Sequence, residues 1–100
     1  MPQKVLESSI VGAIFKYLKP LPRSFWFKVH GGWFQRAGLP DIVGVFRGRF
    51  VAFEVKRPGN GPTALQTYTL EQLKAAGAVA GIVYSVEDAQ VILRHHSLTK

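Results

Sequence analysis

The residues best equipped for chemistry lie in one stretch, PDIVGVFRGRFVAFEVK, residues 40–56, where Asp41 heads an apolar run and Glu54-Val55-Lys56 closes the next. The intervening Arg47-Gly48 reads as a two-residue hairpin turn, with the glycine supplying positive φ. Folding the chain there sets Phe46 against Arg49 and Val45 against Phe50, and the same register carried outward sets Asp41 directly opposite Glu54. Directly opposed residues of an antiparallel pair share a face with Cβ atoms about 5 Å apart, so two carboxylates there repel each other. Lys56 lies two residues beyond Glu54 and therefore on the same face, while Val55 points the other way into apolar packing. Acids in an otherwise buried sheet are costly unless they are ionised against a partner or a metal. A hard cation such as Mg²⁺ takes a few carboxylates and retains several waters, which is the environment on offer. Such an ion lowers the pKa of a bound water and stabilises charge on a phosphodiester under in-line attack, with Lys56 placed to orient that water or neutralise the developing charge. The constellation points to metal-dependent hydrolysis of nucleic acid.

The composition agrees. Thirteen Lys and Arg against six Asp and Glu leave a net charge of +7 on 100 residues, a positive field that draws polyanions. The basic residues are scattered through strands and turns instead of lining one face of a helix, which favours nucleic acid over a membrane surface. With no cysteine, disulfides, thiolate zinc sites, iron–sulfur clusters and cysteine nucleophiles are excluded, and any metal must be held by oxygen or imidazole. The opening MPQKVLESSIVGAIFKYLK has polar and acidic residues interrupting its apolar positions, so it reads as neither a signal peptide nor a membrane span, and an intracellular protein is expected. The length suits one domain, residues 1–100.

The elements that must position these residues follow from periodicity. Over residues 4–19 the positions Leu6, Ile10, Ala13, Ile14, Tyr17 and Leu18 recur at helical spacing until Pro20 and Pro22 stop the pattern. SFWFKVH, residues 24–30, is aromatic and β-branched and reads as a strand ending at Gly31-Gly32, and WFQRAGLP follows as a loop. The runs Asp41–Phe46 and Phe50–Val55 are almost wholly apolar, so the hairpin is expected inside a sheet covered on both faces. Thr63 and Gln66 form a capping-box pattern for a helix to about Ala76, closed by Gly77. VAGIVYS is the next strand, and Ser85 with Asp88 opens a short last helix through Leu93, with a fraying tail. The order αβββαβα implies an α/β sandwich around a small mixed sheet.

With the motifs and their order in view, Gly38-Leu39-Pro40-Asp41, Glu54-Val55-Lys56 and Gln66 resemble the PD-(D/E)xK nuclease superfamily, and specifically its VRR-NUC (virus-type replication-repair nuclease) domain. The resemblance covers nearly the whole chain and implies a restriction-endonuclease-like three-layer sandwich. It implies that Asp41 and Glu54 bind Mg²⁺, with Mn²⁺ able to substitute, that Val55 lends its backbone carbonyl, and that Lys56 assists the nucleophilic water. It also implies a ligand role for Glu7 on the first helix and places Gln66 near the active site. Glu7 lies one turn before Val11, so the apolar stripe continues into an acid at the sheet's edge. Stand-alone relatives resemble Holliday-junction resolvases, so the implied protein is a homodimeric, structure-selective endonuclease acting on branched DNA. The implied setting is replication, recombination or repair in the cytoplasm of a bacterium, the chain being bacterial or phage-encoded, without a small-molecule cofactor.

Each fragment has a plainer reading. Pro-Asp is a common turn dipeptide and Glu-x-Lys a common strand pair, but their joint spacing is specific. An acid in a first helical turn is favoured by the macrodipole, and Gln66 is accounted for by the cap alone. Lys28, His30, Arg36 and Arg57 flank the site in the chain and are candidate phosphate contacts, though such residues are commonly only solvated. Trp33 and Phe34 are read as core or interface residues, with base stacking the alternative. His95 and His96 are read as surface, because neighbours on a helix diverge by about 100°. The rival readings are a non-catalytic DNA-binding module of the same fold, and a nuclease acting on duplex DNA, flaps or RNA.

Overall fold

The computed structural model describes residues 5–30 and 36–98. The expected order is present: α1 (Glu7–Leu18), β1 (Ser24–Lys28), β2 (Ile42–Phe46), β3 (Arg49–Val55), α2 (Ala64–Ala75), β4 (Val79–Val83) and α3 (Val86–Leu98). The four strands form one mixed sheet in the order β1-β2-β3-β4, antiparallel except for the β3–β4 pair. A parallel pair needs a crossover, and α2 supplies it. Trp33, Phe34 and the Gly31-Gly32 turn lie outside the described residues.

Side-chain alternation divides the sheet into two unlike faces. One carries Trp26, Ile42, Val51, Phe53, Val55, Val79 and Val83, which pack with Ile10, Ile14 and Leu18 of α1 and Ala89 and Leu93 of α3 into the core. The Trp26 and Phe53 rings stack with centroids 6.2 Å apart. Gly44 lies beneath the indole, where a Cβ would come within 2.6 Å of Trp26 Cε3, so only glycine lets β2 pass under that ring. The other face carries Val43, Phe50 and Glu54 and receives α2 alone.

Three expectations are corrected. Helices lie on both faces as expected, but the hairpin is not wholly covered: Val45 is 44 % and Phe50 42 % exposed, and on β1 Phe25 is 69 % and Phe27 50 % exposed, because α2 packs chiefly over β4 and leaves the β1 side bare. Uniformly apolar strands did signal a sheet interior for the central pair, but periodicity does not count the helices available to cover it. In α1, Ala13 is exposed, and Leu6 is the exposed N-cap. The buried stripe follows the i, i+4 row Ile10–Ile14–Leu18 with Val11, Phe15 and Tyr17 at its margins, and Ala13 falls just outside that arc. The last helix is longer than expected, running past Leu93 to Leu98 with His95 and His96 inside it, since nothing in that segment breaks a helix.

Where cap chemistry was legible it formed. The Thr63 hydroxyl accepts from the Gln66 N–H at 3.1 Å and Gln66 Oε1 accepts from the Thr63 N–H at 2.9 Å. Gly77 takes φ 103° just after α2. Ser85 Oγ accepts from the Asp88 N–H at 3.2 Å, and Asp88 reaches back to the Tyr84 N–H at 2.8 Å. Among the described residues no helix is long and apolar enough to cross a membrane.

Candidate active site

The hairpin turns at Arg47 (φ 51°) and Gly48 (φ 84°), both left-handed as a type I′ turn requires. The ladder therefore runs without a bulge from Phe46↔Arg49 to Ile42↔Phe53. One step further the Asp41 N–H donates to the Phe53 carbonyl at 3.0 Å, while the Val29 N–H donates to the Asp41 carbonyl at 2.8 Å. The Asp41 backbone is thus held by both neighbouring strands and its side chain faces Glu54. Pro40, which has no N–H to offer the ladder, ends the β2 pairing just there.

The carboxylate of Asp41 takes over where the backbone stops: its Oδ2 accepts the Val55 N–H at 2.7 Å. Because the N–H and C=O of one strand residue point to the same edge, the Val55 carbonyl is turned toward the same space. Glu54 is almost wholly buried at 2 % exposure. Lys56 follows through a bond from its N–H to the Val83 carbonyl at 3.0 Å, and its Nζ stands 3.6 Å from Glu54 Oε2. Asp41, Glu54 and Lys56 therefore converge at the end of the sheet remote from the hairpin turn.

This convergence is electrostatically frustrated. Burial pushes the Glu54 carboxyl up from 4.5 to about 8, helped by the Asp41 charge, by a hydrogen bond to Asp41 and by the more distant Glu7, while Lys56 pulls it down. One lysine does not compensate two opposed acids in a dry site, and a divalent cation would. The donor set fits Mg²⁺: two carboxylates and a carbonyl, with room for waters in the adjoining cleft of about 360 Å³ lined by Glu7, Lys28, His30 and Asp41. Among the described residues no group of three or more His, Asp or Glu side chains is close enough to hold a metal unaided. Glu7 shares the cleft with Asp41 but stands back from the acid pair.

The remaining sequence candidates fall around this cleft unevenly. Lys28 and His30 line its wall, with the Lys28 ammonium 5.2 Å from the Phe15 ring centroid, a cation–π contact that sets its direction. Arg36 lines a neighbouring apolar groove of about 330 Å³ with Leu39, Pro40 and Val43. Arg57 is half-buried directly after Lys56. Gln66 Oε1 is committed to the helix cap, which leaves its amide nitrogen. Sequence reasoning missed the Asp41–Val55 bond, although a proline ending the ladder one residue before an acid was a signal for it.

Comparison of the sequence with family models and with curated proteins gives no match. The fold does match solved structures: one described as a VRR_NUC domain superposes with a TM-score of 0.74, covering 90 % of this chain and 96 % of that one at 22 % identity. The chain has the VRR_NUC domain fold, a restriction-endonuclease-like mixed sheet with helices on both sides.

Proposed function

We propose that the protein is a divalent-metal-dependent endonuclease, and that its substrate is branched DNA. The observation that carries this reading is the opposition of half-buried Asp41 and buried Glu54 with Lys56 alongside. A non-catalytic binder of phosphate gains nothing from two opposed acids that repel it. The similarity to a VRR_NUC domain supports the same reading at the level of fold.

In this mechanism Asp41, Glu54 and the Val55 carbonyl would hold Mg²⁺ or Mn²⁺, with Glu7, in the cleft beside Asp41, as a further ligand. When bound, the metal supplies a water of lowered pKa and a positive charge for the scissile phosphate. Lys56 orients that water and neutralises charge that builds on the phosphate oxygens. Lys28, His30, Arg36 and Arg57 carry the strand across the cleft by phosphate contacts, which fix position without reading sequence. The Gln66 amide nitrogen, which the cap made by Oε1 does not use, would serve as a further donor to the phosphate.

Incubation with a four-way junction, a flap, linear duplex and single strands, each with Mg²⁺, Mn²⁺ or EDTA, tests the assignment. Cutting is expected only with metal, and fastest on the junction. Cutting in EDTA overturns the mechanism, equal rates on all forms overturn the branched substrate, and binding without cutting by either metal favours a DNA-binding module.

A symmetric junction suits a two-fold enzyme with two sites, and the bare apolar row Phe25, Phe27, Val45 and Phe50 beside the open β1 edge is the face such a homodimer would bury. Light scattering at micromolar concentration is expected to report twice the 11.1 kDa chain mass. Substitution of Phe25 and Phe27 by serine should shift it to the monomer, and a wild-type monomer removes the dimer.

A further inference from the structure

The net charge is not spread evenly between the two ends of the sheet. Strand direction assigns each charged residue to an end. α1 and α2 both finish near the hairpin turn, β4 begins there beside β3, and α3 returns there. The turn end consequently collects Lys19, Arg23, Arg47, Arg49, Lys74 and Arg94, against Glu71 as the only acid. The other five acids lie toward the candidate active site or the loop that follows β4. Among the described residues Glu71 is paired with Lys74, and Arg23, Arg47 and Arg94 have no carboxylate partner.

Two backbone outliers mark the same spot. The described non-glycine residues with left-handed φ are Arg23 at 58° and Arg47 at 51°, and the Arg47 N–H donates to the Arg23 carbonyl at 2.9 Å. Asparagine or glycine would occupy these positions with less strain. Each arginine is instead kept at a conformational cost and held out from the tip of the sheet. The Arg47 guanidinium lies 5.3 Å from the Phe46 ring centroid, and the neighbouring Arg49 is held by a bond to the Gly77 carbonyl at 3.2 Å. Arg94 borders a cleft of about 280 Å³ with Tyr17 and Phe46. His96, on the part of α3 that returns to this end, is held below its usual range chiefly by burial, with smaller contributions from His95 and Arg49.

We propose that this turn-end arginine cluster, centred on Arg23 and Arg47, is a second contact surface for the phosphate backbone of duplex DNA, separate from the site of the acids. Arg49 and Glu54 are five residues apart on β3, about 17 Å at strand rise. A phosphate at the cluster is therefore not the one facing the acids, but lies about five base pairs away along a duplex. The cluster grips a flanking segment or a second arm of the DNA. The proposal shares with the nuclease reading only the choice of polyanion, and its test does not require cutting.

Binding of the full-length chain to a 30-base-pair duplex is measured by fluorescence anisotropy in EDTA over a series of salt concentrations, for the wild type and for Arg23→Asn/Arg47→Asn. Asparagine tolerates the left-handed backbone, so the melting temperature of the variant should be equal or higher, which separates lost binding from lost folding. The slope of log K against log salt should fall by about 2, and affinity near 0.1 M salt by about 10-fold or more. An unchanged slope in the folded variant overturns the proposal. So does a variant that keeps DNA affinity while losing binding to phosphatidylglycerol vesicles, which would assign the cluster to an anionic lipid surface. If the wild type never cuts DNA, or Asp41→Asn cuts as fast as the wild type, the nuclease reading fails while this result stands.

Discussion

Asp41→Asn is expected to leave a folded protein that no longer cuts DNA. The substitution keeps an oxygen at the place where Asp41 Oδ2 accepts the Val55 N–H, so the end of the hairpin stays closed. It removes the negative charge that faces Glu54. Without that charge the site loses one of its two carboxylate donors, and the remaining Glu54 is already paired with Lys56 at 3.6 Å. Loss of even an outer-shell partner of a metal ligand typically costs about 10- to 100-fold, so cleavage should fall by at least about 100-fold with Mg²⁺. Because one repulsion disappears, the melting temperature in EDTA should match or exceed that of the wild type. Cleavage rates on a four-way junction and thermal melts of the same preparations check both halves. Full activity in the variant would remove Asp41 from the mechanism.

The second large effect concerns Glu54 and pH. Its folded-state value is raised from 4.5 to about 8. Between these values the folded chain keeps a proton on Glu54 that the unfolded chain has released. Stability of the metal-free protein therefore declines as pH rises through this window and levels off above about 8, by an amount on the order of a few kcal/mol. Glu54→Gln resembles the protonated side chain and lacks this dependence. In EDTA the variant should overtake the wild type as pH rises, by a melting-temperature margin of several degrees at pH 8.5. Metal binding demands the ionised carboxylate and so competes with that proton. Mg²⁺ should stabilise the wild type more at pH 8.5 than at pH 6 and leave Glu54→Gln unaffected. Thermal melts over pH 4.5–9 with Mg²⁺ or EDTA decide the matter, and a wild-type curve in EDTA that rises with pH across the window is the adverse result.

Much of this site is visible in the order of residues because a hairpin obeys strict arithmetic. Once Arg47-Gly48 is taken as a two-residue turn, strand period and cross-strand register leave Asp41 no partner but Glu54 and leave Lys56 on their face. The described ladder has that register. The capping box at Thr63 and Gln66 and the stop at Gly77 were equally local, each written within a few residues. Coverage was not local. Whether Phe25 and Phe27 are buried depends on where α2 comes to rest, and α2 offers only Thr69 and Leu70 as fully buried residues, too narrow a stripe to cover the whole face. The length of α3 was missed because the absence of a breaker is weaker information than its presence.

By itself, then, the sequence determined the element order, the hairpin register and the meeting of two acids with a lysine, since all three follow from short-range periodicity and turn geometry. Only the tertiary structure decided how those groups are charged and what surrounds them. Burial raises Glu54, the Asp41 carboxylate caps the ladder at Val55, and the packing of α1 brings Glu7 into the same cleft while holding it back from the pair. The separation of charge belongs there too: six basic residues distant in the chain gather at the turn because three helices and two strand connections end together. Desolvation and long-range charge depend on where whole elements pack, and no spacing along the chain encodes that.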